Sequence, residues 1–261
     1  MRLIKKPQQN TVSLYNEDCL VIMKQLADES VDCVITDCPY HIVSGGCAKD
    51  PTKYRECKGM LNKRSLLSEN KHISLSGILN DSDPSNYTKN GKLFKHNDIK
   101  FQDWLPDVYR VLKEGTHCYI MINGRNLMEL QQEAEKVGFV FQNLLVWDQG
   151  NATPNKYYMN SIEHILMLRK GKAKNINKVG TKNILRIPNI IGNKKHPTEK
   201  PVDLMTVFVE NSTNAGDTVL DPFMGVGATG VACKRLQRRF IGCEIDEKYF
   251  NIAKDRVSKV E

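Results

Sequence analysis

The chain has 261 residues, 40% of them hydrophobic, which is enough to bury a sizeable core in one large domain or two small ones. No run of about 18 apolar residues occurs, and the charged start lacks an apolar stretch, so neither a transmembrane helix nor a secretory signal is expected. Lys and Arg number 38 against 30 Asp and Glu, a net charge of +8 that suits a polyanionic partner without identifying one. These features predict a cytoplasmic protein.

Short apolar runs alternate with segments of helical periodicity along most of the chain. In chain order the pattern predicts a helix over 20–26, a strand over 31–36, a helix over 101–112, a strand over 117–122, helices over 127–137 and 201–211, a strand over 218–221, a helix over 228–236, a strand over 239–244 and a helix over 249–257. Such alternation is typical of βαβ units. We therefore expect an α/β fold with a mostly parallel sheet flanked by helices.

Two basic segments interrupt this rhythm. Residues 41–100 are polar and poorly periodic and hold eleven Lys and Arg against six Asp and Glu. A structureless loop of that length is unusual in a compact domain, so we interpret the segment as an insertion with small helices near 61–67. Residues 169–200 hold ten Lys and Arg and a single acid, Glu199. This density favours contact with nucleic acid over a merely solvated surface.

The eight cysteines show no C-x-x-C spacing, which excludes zinc-ribbon and thioredoxin-like sites. Cys47, Cys57 and His72 could in principle ligate a metal ion. Reduced thiols in a cytoplasmic protein are the simpler interpretation, and no metal is expected.

A glycine-rich turn follows the strand predicted over 218–221. Gly225 and Gly227 permit a sharp turn that a ligand can approach closely, and the next helix would present its N-terminal N–H groups there. Glu244 ends the following strand, where a carboxylate can accept hydrogen bonds from ribose hydroxyls. The spacing from Gly225 to Gly230 also fits a dinucleotide fingerprint. The glycine-rich turn by itself is thus also compatible with a nicotinamide enzyme, or with a turn that only packs a helix against a strand.

The strand predicted over 31–36 ends in an acid, a cysteine, a proline and an aromatic residue. Ligands bind at the carboxyl ends of parallel strands, and Asp37 supplies a hydrogen-bond acceptor there. Pro39 biases Cys38 towards an extended conformation, which would direct the Cys38 carbonyl outwards beside that acid. Tyr40 offers a flat face for stacking. Two hydrogen-bond acceptors beside an aromatic ring are suited to binding a planar exocyclic amino group. The alternative interpretation is an ordinary turn after the strand, capped by Asp37, without a binding role.

These motifs together resemble the β-class DNA amino-methyltransferases, which act on adenine N6 or cytosine N4. Thr36-Asp-Cys-Pro-Tyr40 is similar to their Asp-Pro-Pro-Tyr catalytic motif, and Asp221-Pro-Phe-Met-Gly-Val-Gly227 to their S-adenosylmethionine-binding motif. Further blocks of this class match residues 15–19, 146–151, 163–166 and 196–201. The catalytic motif precedes the cofactor motif, which is the β-class permutation. The matches span 15–40 and 101–257, and a nicotinamide enzyme explains only one of the blocks.

The resemblance implies a Rossmann-like, circularly permuted S-adenosylmethionine-dependent methyltransferase fold in a single domain over 1–261. Segment 41–100 would be an insertion that contacts DNA or closes over the site, and 171–195 a short variable segment for target recognition. The implied substrate is double-stranded DNA, with adenine N6 preferred because Asp at the first motif position is typical of that group. Cytosine N4, structured RNA and a binding module without catalysis stay open. A homodimer and a cognate restriction enzyme are compatible partners, no membrane contact is expected, and the source would be bacterial, archaeal or phage.

The catalytic residues implied by the resemblance are Asp37, Cys38, Pro39 and Tyr40. Asp37 and the Cys38 carbonyl would accept hydrogen bonds from the target amine, and Tyr40 would stack on the flipped base. The sequence departs from the family at Cys38, which replaces the first proline of the motif. Because the acceptor is a backbone carbonyl, cysteine can still provide it, so the departure affects rigidity and rate more than reaction type.

The resemblance also implies a set of ligands for S-adenosylmethionine and for its product, S-adenosylhomocysteine. These are Asp18, Cys19, Thr198, Lys200, Asp221, Phe223, Gly225, Gly227 and Glu244. Glu244 would bind the ribose hydroxyls, Asp18 the adenine amine, and Thr198 with Lys200 the methionine carboxylate. A second departure lies before Asp18, where Asn16 and Glu17 stand in place of the usual glycine.

Overall fold

The computed structural model describes residues 11–39, 99–153, 158–172, 174–192, 194–196 and 198–260. The chain divides into two compact units, one of Met1–Cys38, Ile99–Asn151 and Ser161–Glu261 and the other of Pro39–Asp98 and Ala152–Asn160. Most of the second unit, with the small helices predicted near 61–67, lies outside the described residues. The single domain with an insertion over 41–100 stays a prediction.

The described residues alternate strands and helices. In chain order the elements are β1 (Val12–Tyr15), α1 (Cys19–Met23), β2 (Val31–Asp37), α2 (Phe101–Val111), β3 (Leu112–Ile122), α3 (Leu127–Val137), β4 (Val140–Thr153), β5 (Asn160–Arg169), β6 (Ile184–Arg186), α4 (Val202–Ser212), β7 (Thr218–Asp221), α5 (Ala228–Arg235), β8 (Arg239–Cys243) and α6 (Glu247–Ser258). Every helix and strand predicted within these ranges is confirmed, α3 and β7 with the predicted ends and the others with shifted ends. Strands β1, β4, β5 and β6 were not predicted.

The strands form one sheet in the order β1-β8-β7-β2-β3-β5-β4-β6. The neighbours from β1 to β3 all pair in parallel, as do β4 and β6. Strand β5 runs antiparallel to β3, with Ile122 opposite His164. The mostly parallel α/β fold is thus confirmed, with β5 reversed relative to β3. Because β5 is reversed, its beginning lies at the edge where β3 ends.

Strands β7 and β2 lie side by side in the middle of this sheet, with Cys33 paired to Val219 and Val34 to Leu220. From β7 the chain continues through α5 to β8 on one side, and from β2 it continues to β3 on the other. Such a change of direction opens a crevice at the carboxyl ends of the two strands. The catalytic motif on β2 and the glycine-rich turn after β7 therefore end at the same place, although the first precedes the second in sequence.

Two groups of helices cover the sheet. Helices α4, α5 and α6 pack side by side, as do α1, α2 and α3. Cys33 and Ile35 of β2 belong to a core cluster that includes Phe208 of α4, and Val34 between them is also fully buried. Because successive strand residues point to opposite faces, β2 is buried on both. This explains its uninterrupted apolar sequence.

Side-chain caps define where helices near the sheet edge begin. The carboxylate of Asp18 accepts a hydrogen bond from the Leu20 N–H at the start of α1, over 2.8 Å. Asp246 accepts hydrogen bonds from the N–H groups of Lys248 and Tyr249 at the start of α6. Each cap satisfies backbone donors that a helix N-terminus leaves unpaired. None of the helices in the described part of the chain is long and apolar enough to cross a membrane.

Candidate active site

Asp37 is the last residue of β2, and its two carboxylate oxygens differ in their surroundings. The Lys200 ammonium donates a hydrogen bond to Oδ2 over 2.6 Å. Oxygen Oδ1 is buried and has no hydrogen-bond partner among the described residues. A buried acceptor left unpaired costs roughly 1–3 kcal/mol. Oδ1 is therefore suited to receive a donor from a ligand.

Three effects change the pKa of the Asp37 carboxyl group. Burial raises the pKa of its carboxyl group, the Lys200 ammonium opposes this rise, and the nearby Glu163 carboxylate adds to it. The Lys200 ammonium lies between the two acids, 3.2 Å from Glu163 Oε2, and its side chain is only 6% exposed. Two acidic side chains and one ammonium thus form a compact group at the crevice.

Cys38 occupies the position where the related motif has proline. Its thiol is buried and donates a hydrogen bond to the Met121 carbonyl of β3, with 3.6 Å between sulfur and oxygen. Burial and the adjacent Asp37 raise the pKa of this thiol well above its ordinary value. The thiol is therefore neutral and unsuited to nucleophilic attack. The Cys38 carbonyl as an amine acceptor stays a prediction.

The last two residues of the predicted catalytic motif belong to the second unit. Pro39 is half-buried. Tyr40 lies outside the described residues, and so do Cys47, Cys57 and His72. Stacking of a base on Tyr40 stays a prediction.

Asp221 ends β7 and is fully surrounded by protein donors. Its Oδ1 accepts hydrogen bonds from the Thr36 hydroxyl over 2.8 Å and from the Phe223 N–H over 3.2 Å. Its Oδ2 accepts one from the Thr229 hydroxyl over 2.7 Å. Burial raises the pKa of this carboxyl to about 7, and the hydroxyl donors limit the rise. Asp221 thus links β7, β2 and α5 through hydrogen bonds. We infer that it stabilises the conformation of the glycine-rich turn.

The glycines of the turn have different surroundings. Gly225 adopts φ +52°, and a Cβ placed on it would have no atom within 4 Å. Gly227 adopts φ +79°, and its Cβ would lie 3.0 Å from the Cβ of Ala253 in α6. At Gly230 in α5 a Cβ would lie 2.9 Å from the Phe240 ring. Only the backbone at Gly225 therefore borders open space, while the other two allow α5 to pack closely.

Glu244 and Asp18 follow the ends of the paired strands β8 and β1. The Asn16 side chain donates a hydrogen bond to the Glu244 carbonyl over 2.8 Å, and this links the two strand ends. Glu244 Oε1 accepts a hydrogen bond from the Asp246 N–H over 2.8 Å, and burial raises the pKa of its carboxyl. Asn16 thus has a structural role in the segment before Asp18, where Asn16 and Glu17 replace the family's glycine.

Cys19 and Phe223 have mainly packing roles in the described contacts. The Cys19 thiol is buried, which raises its pKa well above the ordinary value. The Phe223 ring is half-buried and meets Trp104 of α2 edge to face, with centroids 5.2 Å apart. The contacts of Cys19 and Phe223 with a cofactor stay predictions.

The segment before α4 carries Thr198 and Lys200 to the same edge. Both the N–H and the hydroxyl of Thr198 lie within hydrogen-bond distance of His196 Nδ1, whose ring is kept neutral because burial and Lys200 lower its pKa to about 4. Arg256 of α6 pairs with the buried Glu199 over 2.7 Å and anchors the segment. The predicted contact of Lys200 is the methionine carboxylate, whereas the described contacts of its ammonium are with carboxylates of the protein itself.

The crevice fits the predicted nucleoside cofactor. Open space borders the Gly225 backbone, and the helix α5 that follows begins after Gly227, which has no side chain to cap it. Glu244 and Asp18 offer acceptors for hydroxyl and amino donors. Oδ1 of Asp37, which has no hydrogen-bond partner within the described part of the chain, lies at the end of the strand next to β7. The residues present thus suit a cofactor along β8 and β7 and an amine donor at β2.

Sequence reasoning missed Glu163 and Gln149 as site residues. Glu163 comes from the beginning of β5, and the Gln149 side chain of β4 donates a hydrogen bond to its Oε1 over 3.0 Å. Both lie in blocks that resemble the methyltransferase family, so the signal was present. An acid within an apolar strand is the feature that could have marked Glu163.

Comparisons with known proteins show which family the sequence matches. The family model N6_N4_Mtase, described as DNA methylase, matches residues 31–255. The Type II methyltransferase M2.DpnII of Streptococcus pneumoniae is 27% identical over 279 residues, covering 98% of this chain and 93% of that protein. M2.MboI of Moraxella bovis, also a Type II methyltransferase, is 26% identical and covers 95% of this chain and 88% of that protein.

Solved structures give the same result. The complex of M1.HpyAVI with SAM has a TM-score of 0.64 and 27% identity, and the match covers 94% of this chain and all of that chain. The PvuII DNA methyltransferase, described as cytosine-N4-specific, has a TM-score of 0.63 at 16% identity, covering 95% of this chain and 88% of that one, and shows the fold alone. Since the family model spans most of the sequence, the chain belongs to the N6_N4_Mtase family of DNA methylases.

Proposed function

We propose that this DNA methyltransferase modifies the exocyclic N6 amino group of adenine in double-stranded DNA. The observation that carries the proposal is the buried Oδ1 of Asp37, which has no partner among the described residues and ends the strand beside the glycine-rich turn. An amino group supplies the N–H donor that this oxygen can accept. The resemblance adds that Asp at this motif position is typical of enzymes acting on adenine.

The methyl donor is S-adenosylmethionine, which supplies an electrophilic methyl group: the new N–C bond forms as the S–C bond breaks, leaving S-adenosylhomocysteine. Glu244 would accept hydrogen bonds from the ribose hydroxyls. The backbone at Gly225 permits close approach because no side chain intervenes. Asp18, which also caps α1, would accept a hydrogen bond from the adenine amine of the donor.

Asp37 acts on the accepting nitrogen. The lone pair of an exocyclic amine is delocalised into the base ring, which makes the amine a poor nucleophile. A hydrogen bond from the amine to Oδ1 favours a pyramidal nitrogen whose lone pair can be directed at the methyl group. Once the nitrogen has gained the methyl group it is cationic, and Oδ1 is placed to accept the proton that it loses before passing it to water. A carboxyl pKa raised by burial suits this acceptance.

The target base must leave the duplex for this geometry to form. The amino group inside a base pair cannot reach Asp37 and the methyl donor together, so the base is flipped out, as methyltransferases generally require. Tyr40 would stack on the flipped base. Removing its aromatic ring should weaken binding of the flipped base by roughly 1–3 kcal/mol.

The proposal is tested by nucleoside mass spectrometry on DNA from cells that lack native methylation and express this chain. We expect N6-methyladenine with the wild type and a loss of orders of magnitude with Asp37→Ala, because the acceptor oxygen is removed. The Asp37→Ala protein should bind S-adenosylhomocysteine within a few-fold of wild type by calorimetry. Asp255→Ala, which changes an exposed acid of α6, is the matched control and should methylate normally.

The other outcomes are equally specific. N4-methylcytosine would overturn the choice of base while leaving the role of Asp37 in place. If no modified base is found in DNA although the protein binds the cofactor, the proposal is contradicted, and an RNA substrate or a binding module without catalysis is favoured.

Since the similar proteins M2.DpnII and M2.MboI are Type II methyltransferases, we also propose a cognate restriction enzyme as a functional partner. A homodimer stays a prediction.

A further inference from the structure

A row of polar side chains leads away from Asp37 across the reversed part of the sheet. The Lys200 ammonium contacts Oδ2 of Asp37 at 2.6 Å and Oε2 of Glu163 at 3.2 Å. The second oxygen of Glu163 accepts a hydrogen bond from Gln149 Nε2 over 3.0 Å. Glu163 is thus held from both sides, by a cation on one oxygen and an amide on the other.

The amide of Gln149 is fixed in turn by Asn189, which follows β6. The Asn189 side chain donates a hydrogen bond to Gln149 Oε1 over 2.9 Å, and its backbone N–H donates one to the Gln149 carbonyl over 3.0 Å. Because Oε1 is occupied by a donor, the Nε2 group of Gln149 must face Glu163. The orientation of Glu163 therefore depends on contacts from β4 and from the segment after β6.

We propose that Lys200 and Glu163 are positioning residues that lock Oδ2 of Asp37 and thereby present Oδ1 to the target amino group. A lysine side chain has four rotatable carbon–carbon bonds and holds a single point of charge, so one partner cannot fix it. The second carboxylate, Glu163, anchors the ammonium in the place where it meets Oδ2. The inference rests on the proposed function, since it assigns these residues to Asp37 as the acceptor for the amine.

The charges of this group make the proposal testable by pH. The groups that interact electrostatically with Asp37, Lys200 or Glu163, besides these three themselves, are Lys194, His196, Cys38 and Asp221. Glu199 acts on Lys194. Lys200 lowers the pKa of Asp37 and Glu163 raises it. Activity requires the ionised carboxylate, so the acidic limb of the pH profile follows this pKa. Removing either partner should move the limb, in opposite directions.

The experiment compares kcat/KM across pH 5–9 for wild type, Glu163→Gln and Lys200→Met. We expect kcat to fall about tenfold or more in both variants, with KM for DNA and for S-adenosylmethionine changed only a few-fold. The acidic limb should move to lower pH in Glu163→Gln and to higher pH in Lys200→Met, by about half a unit or more. The variant Lys200→Arg keeps the positive charge, so the acidic limb of its pH profile should stay near that of the wild type. This variant keeps the test informative if Lys200→Met folds poorly.

The ion pair of Lys136 with Glu133 on α3, at 2.6 Å, provides matched controls of the same residue types. Glu133→Gln and Lys136→Met should leave the kinetics and the pH profile unchanged. Shifts of the two test variants in the same direction, or an unchanged profile in Glu163→Gln, would overturn the proposal. A large rise in KM for S-adenosylmethionine confined to Lys200→Met would instead support the methionine-carboxylate role and also overturn it.

A second readout separates this inference from the proposed function. Titration of carbon-13-labelled aspartate by NMR, with Asp37→Asn used to assign the signal, follows the Asp37 carboxyl without any reaction. Opposite displacements of its midpoint in Glu163→Gln and Lys200→Met would support the pairing whichever base is modified. Equal midpoints in all three proteins would refute the pairing even if N6-methyladenine is formed.

Discussion

At the scale of single residues, the carboxyl group of Asp221 shows how a structural acid can couple stability to pH. It is 3% exposed, and its pKa in the fold is about 7, above the ordinary 3.8. The folded state therefore holds this proton more tightly than the unfolded chain does. The resulting stabilisation is complete below the ordinary pKa and is lost as pH rises through about 7.

An Asp221→Asn variant tests this coupling. In the wild type, the proton on Asp221 should contribute about 2–3 kcal/mol more to the free energy of unfolding at pH 5 than at pH 8. Asparagine does not titrate, so the variant should lose this part of the pH dependence. Urea unfolding of both proteins at the two pH values measures the difference. An equal pH dependence in wild type and variant would contradict the raised pKa.

Single residues also show what the sequence could predict of the site. Asp37 and Glu244 were predicted because strand ends are visible in an apolar pattern and carboxylates there are conspicuous. The contact between Lys200 and Asp37 joins positions 163 residues apart, which no local pattern encodes. Glu163 was missed for the same reason, since its place beside Asp37 depends on the direction of β5.

At the scale of elements, the turn between β7 and α5 separates ligand approach from packing. Gly225 borders open space, whereas Gly230 lies against Phe240. Gly225→Ala should cost about 1–2 kcal/mol of stability through its positive φ and should weaken S-adenosylhomocysteine binding about tenfold or more, because a methyl group enters the crevice.

Gly230→Ala is the matched change inside the helix. It should cost about 1–2 kcal/mol through overpacking against Phe240 and leave the affinity for S-adenosylhomocysteine nearly unchanged. Urea unfolding and titration calorimetry on both variants separate the two effects. Equal losses of affinity would mean that the turn responds as one unit and that the distinction between the glycines is wrong.

Elements also differ in how well their sequence predicted them. The parallel strands β2, β7 and β8 are largely buried, so each appears in the sequence as a short apolar run that ends in or before an acidic residue. Strand β6 has only three residues and β1 four, too few for a pattern to stand out. Strand β5 begins with polar residues and is continuously apolar only over 165–168, and no sequence pattern encodes the direction of a strand. Its antiparallel course, which brings Glu163 to the crevice, required the structure.

At the scale of the whole molecule, the net charge of +8 predicts how DNA binding responds to salt. In the segment of 169–200, Lys172, Lys174 and Lys182 are exposed and suited to contact phosphates. We expect the dissociation constant for DNA to rise roughly a hundredfold or more between 50 and 200 mM salt. The affinity for S-adenosylhomocysteine should change little, because no polyanion is bound.

Replacing these three lysines by alanine should reduce the salt slope by about one unit for each lost phosphate contact. Lys24, Lys136 and Lys259, which are exposed on helices α1, α3 and α6 or at their ends, are the matched control set. Fluorescence anisotropy with a labelled duplex measures both slopes. The same slope in the two triple variants would remove the 169–200 segment from the DNA-binding surface.

The order of the strands also has a consequence for biosynthesis. Strands β1 and β2, made first, pair with β8 and β7, made last. At roughly 5–20 residues per second, a ribosome needs about 10–40 s to pass from the end of β2 to the start of β7. Throughout that interval the strand carrying Asp37 lacks its central neighbour. Nascent chains should therefore depend on chaperones, and translational pausing before β7 should lower the yield of active enzyme more than pausing after β8.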